Sequence, residues 1–69
     1  MHYSDIFRDN PNGTISPKVY VQLNGVTMGP GVTFGKGIAF GGVNLFDYRN
    51  KDIEIELINN VYIIKGFYN

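Results

Sequence analysis

Three carboxylates in the C-terminal third of the chain have the residue types and spacing for metal binding or acid–base chemistry. Asp52, Glu54 and Glu56 alternate along a predicted strand, so all three side chains should project from one face. Such a row of oxygens could bind a hard cation, or one member could act as a general acid or base. Catalysis would also need a carboxylate across a cleft, and Asp47 is the obvious candidate. Because Lys65 can neutralise part of the row, a solvated strand face explains it better.

The glycine-rich centre of the chain suggests a phosphate-binding loop, but its spacing does not fit one. A P-loop needs a glycine five positions before its Gly-Lys pair and a Ser or Thr directly after it. Here Gly35-Lys36 has Pro30 at the first of these positions and Gly37 at the second. We therefore interpret these glycines as turn residues.

Few side chains are suited to nucleophilic catalysis. The sequence has no cysteine, and the only histidine, His2, lies beside the N-terminus. The two serines, Ser4 and Ser16, fall in a segment predicted to be irregular. Because catalytic groups must be held rigidly, we expect neither an enzyme nor a bound metal or cofactor.

Length, composition and charge limit the class of protein. A chain of 69 residues allows one domain, which buries only roughly 60% of its unfolded surface. With no disulfide available, its 43% apolar residues, including five Phe and five Tyr, favour a well-packed core or self-association. Six basic residues balance six acidic ones, so we expect no nucleic-acid partner. No segment has the length of a membrane span and no signal peptide is evident, so we expect no membrane association and a cytoplasmic location.

The expected fold class is all-β. Residues 1–16 are polar and predict a short irregular N-terminal arm, and residues 17–69 predict a single small β domain. Residues 18–23 alternate apolar and polar positions, and Asn24-Gly25 is a strong signal for a type I′ hairpin turn. A two-residue loop predicts three cross-strand pairs, namely Leu23 with Val26, Gln22 with Thr27, and Val21 with Met28.

A six-residue repeat occupies residues 26–45, and two architectures fit it. Each unit is an apolar–small–apolar triplet followed by a turn that contains glycine. In the favoured architecture, residues 32–34 pair with residues 38–40 within a small antiparallel meander or open barrel of about six short strands. In the alternative, the repeat resembles the hexapeptide units of left-handed β-helix proteins and the glycine-turn β-stalks of phage tail fibres. That resemblance implies a short β-solenoid or stalk, although three units supply only about one coil.

Apolar pattern and charge together predict a C-terminal hairpin. Residues 52–58 and 61–68 have the composition of two strands around an Asn59-Asn60 turn. Pairing Ile58 with Val61 places Leu57 opposite Tyr62 and Ile55 opposite Ile64. The same register sets Glu54 opposite Lys65, which is a favourable cross-strand charge pair.

This register leaves apolar side chains on both faces of the hairpin. One face would carry Ile53, Ile55, Leu57, Tyr62, Ile64 and Tyr68. The other would carry Ile58, Val61, Ile63 and Phe67 among Glu54, Glu56 and Lys65. Because a half-buried sheet buries only one face, the second face is either covered by Ile6 and Phe7 of the arm or forms a partner surface. Tyr48 and Arg49 would extend such a surface with residue types that are common at interfaces.

The leading functional hypothesis is a non-catalytic protein–protein interaction module that self-associates through this outer face of the C-terminal hairpin. A second hypothesis is a structural β-stalk or tip protein of phage type that trimerises through the six-residue repeats. A third is a small viral or mobile-element inhibitor of a host protein. In each case we expect a protein partner or a second copy of the chain.

Overall fold

The protein has a small all-β fold with two sheets and a short N-terminal helix, which confirms the predicted fold class. A computed structural model describes residues 1–68. The elements in chain order are α1 (Tyr3–Ile6), β1 (Phe7–Asp9), β2 (Ile15–Pro17), β3 (Val21–Leu23), β4 (Val26–Met28), a 3₁₀ helix (Leu45–Tyr48), β5 (Ile53–Ile58) and β6 (Val61–Phe67). β1 and β2 form one sheet, and the other has the strand order β4-β3-β6-β5.

The β3–β4 hairpin has the predicted register. Asn24 and Gly25 both adopt positive φ angles, 51° and 82°, as a type I′ turn requires. All three predicted pairs are confirmed: Val21 with Met28, Gln22 with Thr27, and Leu23 with Val26. The strand on the other side of β3 is β6, and this pair is parallel. A parallel pair needs a long connection, which here contains the glycine-rich repeat, the 3₁₀ helix and β5.

A β-bulge changes the second half of the predicted C-terminal hairpin. The pairs nearest the turn are confirmed: Ile58 with Val61, Leu57 with Tyr62, and Ile55 with Ile64. Beyond them Glu54 pairs with Gly66, so the prediction that Glu54 lies opposite Lys65 is wrong. Lys65 is the extra residue of the bulge, and an extra residue reverses the facing of every side chain that follows it. Phe67 consequently lies opposite Ile53, on the core side of the sheet.

Residues 1–16 contain regular structure, so the prediction of an irregular arm is wrong. His2 caps α1 by accepting a hydrogen bond from the Ser4 N–H, and the Asp5 carboxylate accepts one from the His2 N–H. A turn follows β1, with Gly13 at a φ of 84°, and it brings β2 back antiparallel to β1. Tyr3, Ile6, Phe7 and Ile15 are all buried in the same core as residues of β3, β5 and β6. Burial of these apolar side chains explains why the segment is ordered.

The six-residue repeat forms successive turns, so the predicted pairing of residues 32–34 with residues 38–40 is wrong. The Val32 N–H donates to the Gly29 carbonyl, and the Ile38 N–H donates to the Gly35 carbonyl. Gly31 and Gly37 occupy the third position of these turns with φ angles of 96° and 88°, values that favour glycine. Among the described residues, those numbered 26–44 form β4, turns and isolated bridges rather than a solenoid coil.

The repeat nevertheless determines which side chains enter the core. The third residues of its apolar triplets are Met28, Phe34 and Phe40, of which the two phenylalanines are buried and Met28 packs against the core. The rings of Phe34 and Phe40 stack with centroids 5.4 Å apart. Phe34 also exchanges two backbone hydrogen bonds with Ile15, at 2.8 and 3.0 Å, which connects the repeat to β2. The six-residue spacing therefore directs one large apolar side chain per repeat, namely Met28, Phe34 and Phe40, toward the core.

Candidate protein-interaction surface

Three apolar residues near the turn of the β5–β6 hairpin face away from the core. Ile58 lies opposite Val61, and Ile63 lies opposite Glu56. All three apolar side chains are on the outer face of the sheet, whereas the buried Ile64 is on the inner face. Ile58 is 43% exposed, and Val61 and Ile63 are half-buried but lie outside the apolar residues that pack on the core. We call Ile58, Val61 and Ile63 the outer patch. Ile6 and Phe7 belong to the core on the other side, so the alternative in which they cover this face is wrong.

Charged and polar side chains border the outer patch. Glu54, Glu56 and Lys65, the residues predicted to form its rim, are exposed. The Lys65 ammonium lies 3.2 Å from a Glu56 carboxylate oxygen, and both side chains are about half exposed, so this ion pair contributes little stability. On the β3 side, Gln22 lies opposite Ile63 and donates a hydrogen bond of 3.1 Å to Thr27. The outer face of the larger sheet is thus apolar at one end of β5–β6 and polar elsewhere.

Two predicted interface residues lie on the core side of the sheet instead. The Tyr48 ring stacks on the Phe67 ring, with centroids 4.3 Å apart and planes inclined by 20°. Phe67 packs against the core because the bulge at Lys65 turns it away from the outer patch. The prediction that Phe67 joins Ile63 on one face is therefore wrong, and Tyr48 is occupied by its contact with Phe67.

The remaining predicted interface residue, Arg49, forms a link to the N-terminal strand. Its guanidinium donates a hydrogen bond of 3.0 Å to Asp9 and lies over the Phe46 ring at 5.7 Å. The Tyr3 hydroxyl donates to the other Asp9 oxygen at 3.2 Å. Arg49 and Asp9 are both exposed, whereas the Tyr3 ring is buried. This network connects β1 to the end of the 3₁₀ helix, and its exposed Arg49–Asp9 ion pair contributes little stability by itself.

Raising the pH above about 10 should destabilise the fold through Tyr3. Burial, and secondly the charge of Asp9, raise the pKa of the Tyr3 hydroxyl above its usual value. The folded state then holds this proton more tightly than the unfolded state. The resulting stabilisation is complete below the unfolded pKa and is lost as the pH rises through the folded pKa. Urea titrations from about pH 8 to about pH 11 should show a shallower loss of unfolding free energy in Tyr3→Phe than in the wild type.

The control for this prediction is Tyr20→Phe, which changes a tyrosine that is 57% exposed. Its unfolding free energy should follow the wild-type pH dependence. If the unfolding free energy of Tyr3→Phe falls with pH as steeply as that of the wild type, Tyr3 is not the cause of the loss at high pH.

The carboxylate row does not converge into a ligand cluster. Asp52 forms a bridge with His2 beside α1, whereas Asp47 lies in the 3₁₀ helix. Within residues 1–68, no three His, Cys, Asp or Glu side chains are placed to bind one metal ion. The same residues form no pocket. None of the helices over this range is long and apolar enough to cross a membrane.

Leu57 is a surface residue that strand alternation does not predict. Leu57 lies on the inner face of β5, yet it is 56% exposed because the hairpin extends beyond the core near its turn. Its position only two residues from Asn59-Asn60 is the one signal in the sequence that favours exposure. The hairpin end therefore presents apolar side chains on both faces: Leu57 on one and the outer patch on the other.

Comparison of the chain with protein-family models, with curated proteins and with solved structures finds no match.

Proposed function

We propose that the protein is a non-catalytic interaction module that self-associates through the outer patch. One observation carries the proposal: three adjacent aliphatic side chains, Ile58, Val61 and Ile63, lie on the sheet face opposite the core, and none of them packs on it. Ile58 is exposed and Val61 and Ile63 are half-buried, and an accessible apolar cluster bordered by charge is the usual character of a contact surface.

The geometry supports a symmetric contact between two copies. In a twofold arrangement the outer patch of one copy would cover the outer patch of the other, so each aliphatic side chain would lose its remaining contact with water. The acidic and basic rim would then lie at the border, where Lys65 of one copy can approach Glu54 of the second. Such rim charges affect orientation and association rate more than affinity.

Replacing two residues of the outer patch should abolish self-association and leave the fold intact. Ile58→Thr combined with Ile63→Thr removes apolar surface but keeps β-branched residues, which suit strands. Sedimentation velocity from about 10 µM to about 1 mM should show a concentration-dependent dimer for the wild type and a monomer for the double variant. We expect dimerisation to weaken by on the order of a hundredfold or more.

The matched control is Ile38→Thr, the same substitution at an isoleucine that is 53% exposed and distant in sequence from the hairpin. This variant should sediment as the wild type does. A wild-type chain that remains monomeric over the whole concentration range would overturn the proposal. So would a double variant that unfolds, because Ile58 and Ile63 would then belong to the core.

A further inference from the structure

Within residues 1–68, no segment pairs with the outer edge of β5 over part of its length. β5 is the last strand in the order β4-β3-β6-β5, so its second side faces outward. The first part of that side is filled by Met1, whose amino nitrogen donates to the Ile53 carbonyl at 2.9 Å and whose carbonyl accepts from the Ile53 N–H at 2.6 Å. His2 then pairs antiparallel with Asp52. The edge therefore already accepts an antiparallel segment of two residues.

The peptide groups of successive residues in β5 point alternately toward β6 and away from it. The Asp52 carbonyl points toward β6, since it accepts from the Tyr68 N–H, whereas the N–H and carbonyl of Ile53 point toward Met1. Because this direction alternates from residue to residue, the N–H and carbonyl groups of Ile55 and Leu57 also point away from β6. We call the N–H and carbonyl groups of Ile55 and Leu57 the open edge.

Charge opposes the pairing of this edge with itself. If two β5 strands pair antiparallel with Ile55 opposite Leu57, Glu56 lies opposite the same residue of the second copy. If Ile55 lies opposite Ile55, Glu54 lies opposite Glu56. Like charges directly opposite each other are destabilising, and acidic residues at sheet edges commonly prevent such pairing. A second copy is thus a poor occupant, and a strand with positive charges at the matching positions is a good one.

We propose that the open edge binds an extended antiparallel peptide in which Lys or Arg alternates with apolar residues. One basic side chain would lie directly opposite Glu56, whose carboxylate it would share with Lys65, and diagonal to Glu54; both carboxylates are exposed on the outer face. Its apolar side chains would lie on the inner face beside Ile55 and Leu57, where Leu57 has more than half of its surface free. Main-chain hydrogen bonds supply affinity in strand addition, and alternate side chains supply specificity. The site shares Glu54 and Glu56 with the rim of the outer patch but none of its three aliphatic residues, so it does not depend on self-association.

The probe is the peptide acetyl-Lys-Val-Lys-Val-amide, followed by the amide NMR signals of the ¹⁵N-labelled full chain. The peptide ends opposite Ile55, because a further residue opposite Glu54 would meet the Met1 amino group. In the antiparallel register each valine lies opposite Ile55 or Leu57 and directs its N–H at the open edge. The amide signals of Ile55 and Leu57 should therefore shift to saturation. N-methylation of either valine should abolish binding, whereas N-methylation of the lysine between the two valines, whose N–H points away, should preserve it.

Charge reversal and charge removal complete the test. The peptide with Glu in place of Lys should not bind, and Glu54→Gln or Glu56→Gln should each weaken binding about two- to fivefold. Asp47→Asn, a matched change in the 3₁₀ helix, should leave binding unchanged. Ile55 and Leu57 amides that do not shift, or N-methylated peptides that all bind alike, would overturn the proposal. Protection of these amides that grows with protein concentration in the absence of peptide would also overturn it, since a second copy would then fill the edge.

Discussion

Phe40→Ala should destabilise the protein more than any other single truncation proposed for it. The Phe40 side chain is fully buried and stacks on Phe34. Truncation of a buried phenylalanine typically costs about 3–5 kcal/mol. A domain of this size has a total stability of roughly 3–10 kcal/mol, so the loss removes much or all of it. Urea titration followed by far-ultraviolet circular dichroism would measure the change in unfolding free energy.

Ile38→Ala is the matched control for this prediction, because Ile38 and Phe40 belong to the same triplet of the repeat. Ile38 is largely exposed, so its truncation should change the unfolding free energy by less than about 1 kcal/mol. Similar losses for the two variants would show that the third position of each triplet does not enter the core preferentially.

Gly41→Ala should destabilise the protein by about 2–4 kcal/mol, for two additive reasons. Gly41 has a φ of 58°, a region that is unfavourable for residues with a Cβ atom. A Cβ at this position would also lie 2.5 Å from the carbonyl oxygen of Leu23, at the end of β3. Backbone cannot move aside as a flexible side chain can, particularly since the Asn24 side chain donates a hydrogen bond of 2.8 Å to the Gly41 carbonyl. Thermal unfolding of the variant and the wild type would measure the loss.

Gly42→Ala separates the two causes. Gly42 also has a positive φ, 82°, but a Cβ there would meet no atom within 4 Å. Its substitution should cost only about 1 kcal/mol, from backbone conformation alone. If both alanine variants lose the same stability, the close contact between Gly41 and Leu23 is not the main constraint.

Local turn chemistry explains which parts of the fold the sequence predicts. Asn24-Gly25 and Asn59-Asn60 both adopt positive φ angles, and each fixes the register of the strand pairs beside it. Asn59 and Asn60 have φ angles of 51° and 65°, so the predicted two-residue turn is present. Near these turns, a few residues determine both the reversal and the facing of the side chains, which is why those predictions are confirmed.

Longer-range features were not predictable from local pattern. The parallel pairing of β3 with β6 joins residues about forty positions apart, and alternation alone does not say which strands become neighbours. The bulge at Lys65 has no clear signal except Gly66, and glycine within a strand has several explanations. Yet the bulge decides that Phe67 faces the core and leaves the outer patch with three apolar residues instead of four.

The candidate site was therefore predicted in part. Ile58, Val61 and Ile63 lie between the turn and the bulge, where the register is as predicted, and they share the outer face with Glu54 and Glu56. Tyr48, Arg49 and Phe67 depend on tertiary contacts with Asp9, Phe46 and the core, which strand alternation does not describe. Leu57 and the open edge follow from the position of β5 at the end of the sheet, which only the strand order reveals.

Intermolecular contacts between methyl groups test the proposed self-association most directly. A mixture of isotopically labelled and unlabelled wild-type chain would be examined by isotope-filtered NOE spectroscopy, which detects only contacts between different copies. We predict intermolecular NOEs from the methyl groups of Ile58, Val61 and Ile63 and none from Ile38 or Val26. Intermolecular NOEs that arise elsewhere, or their absence at about 1 mM protein, would contradict self-association through the outer patch.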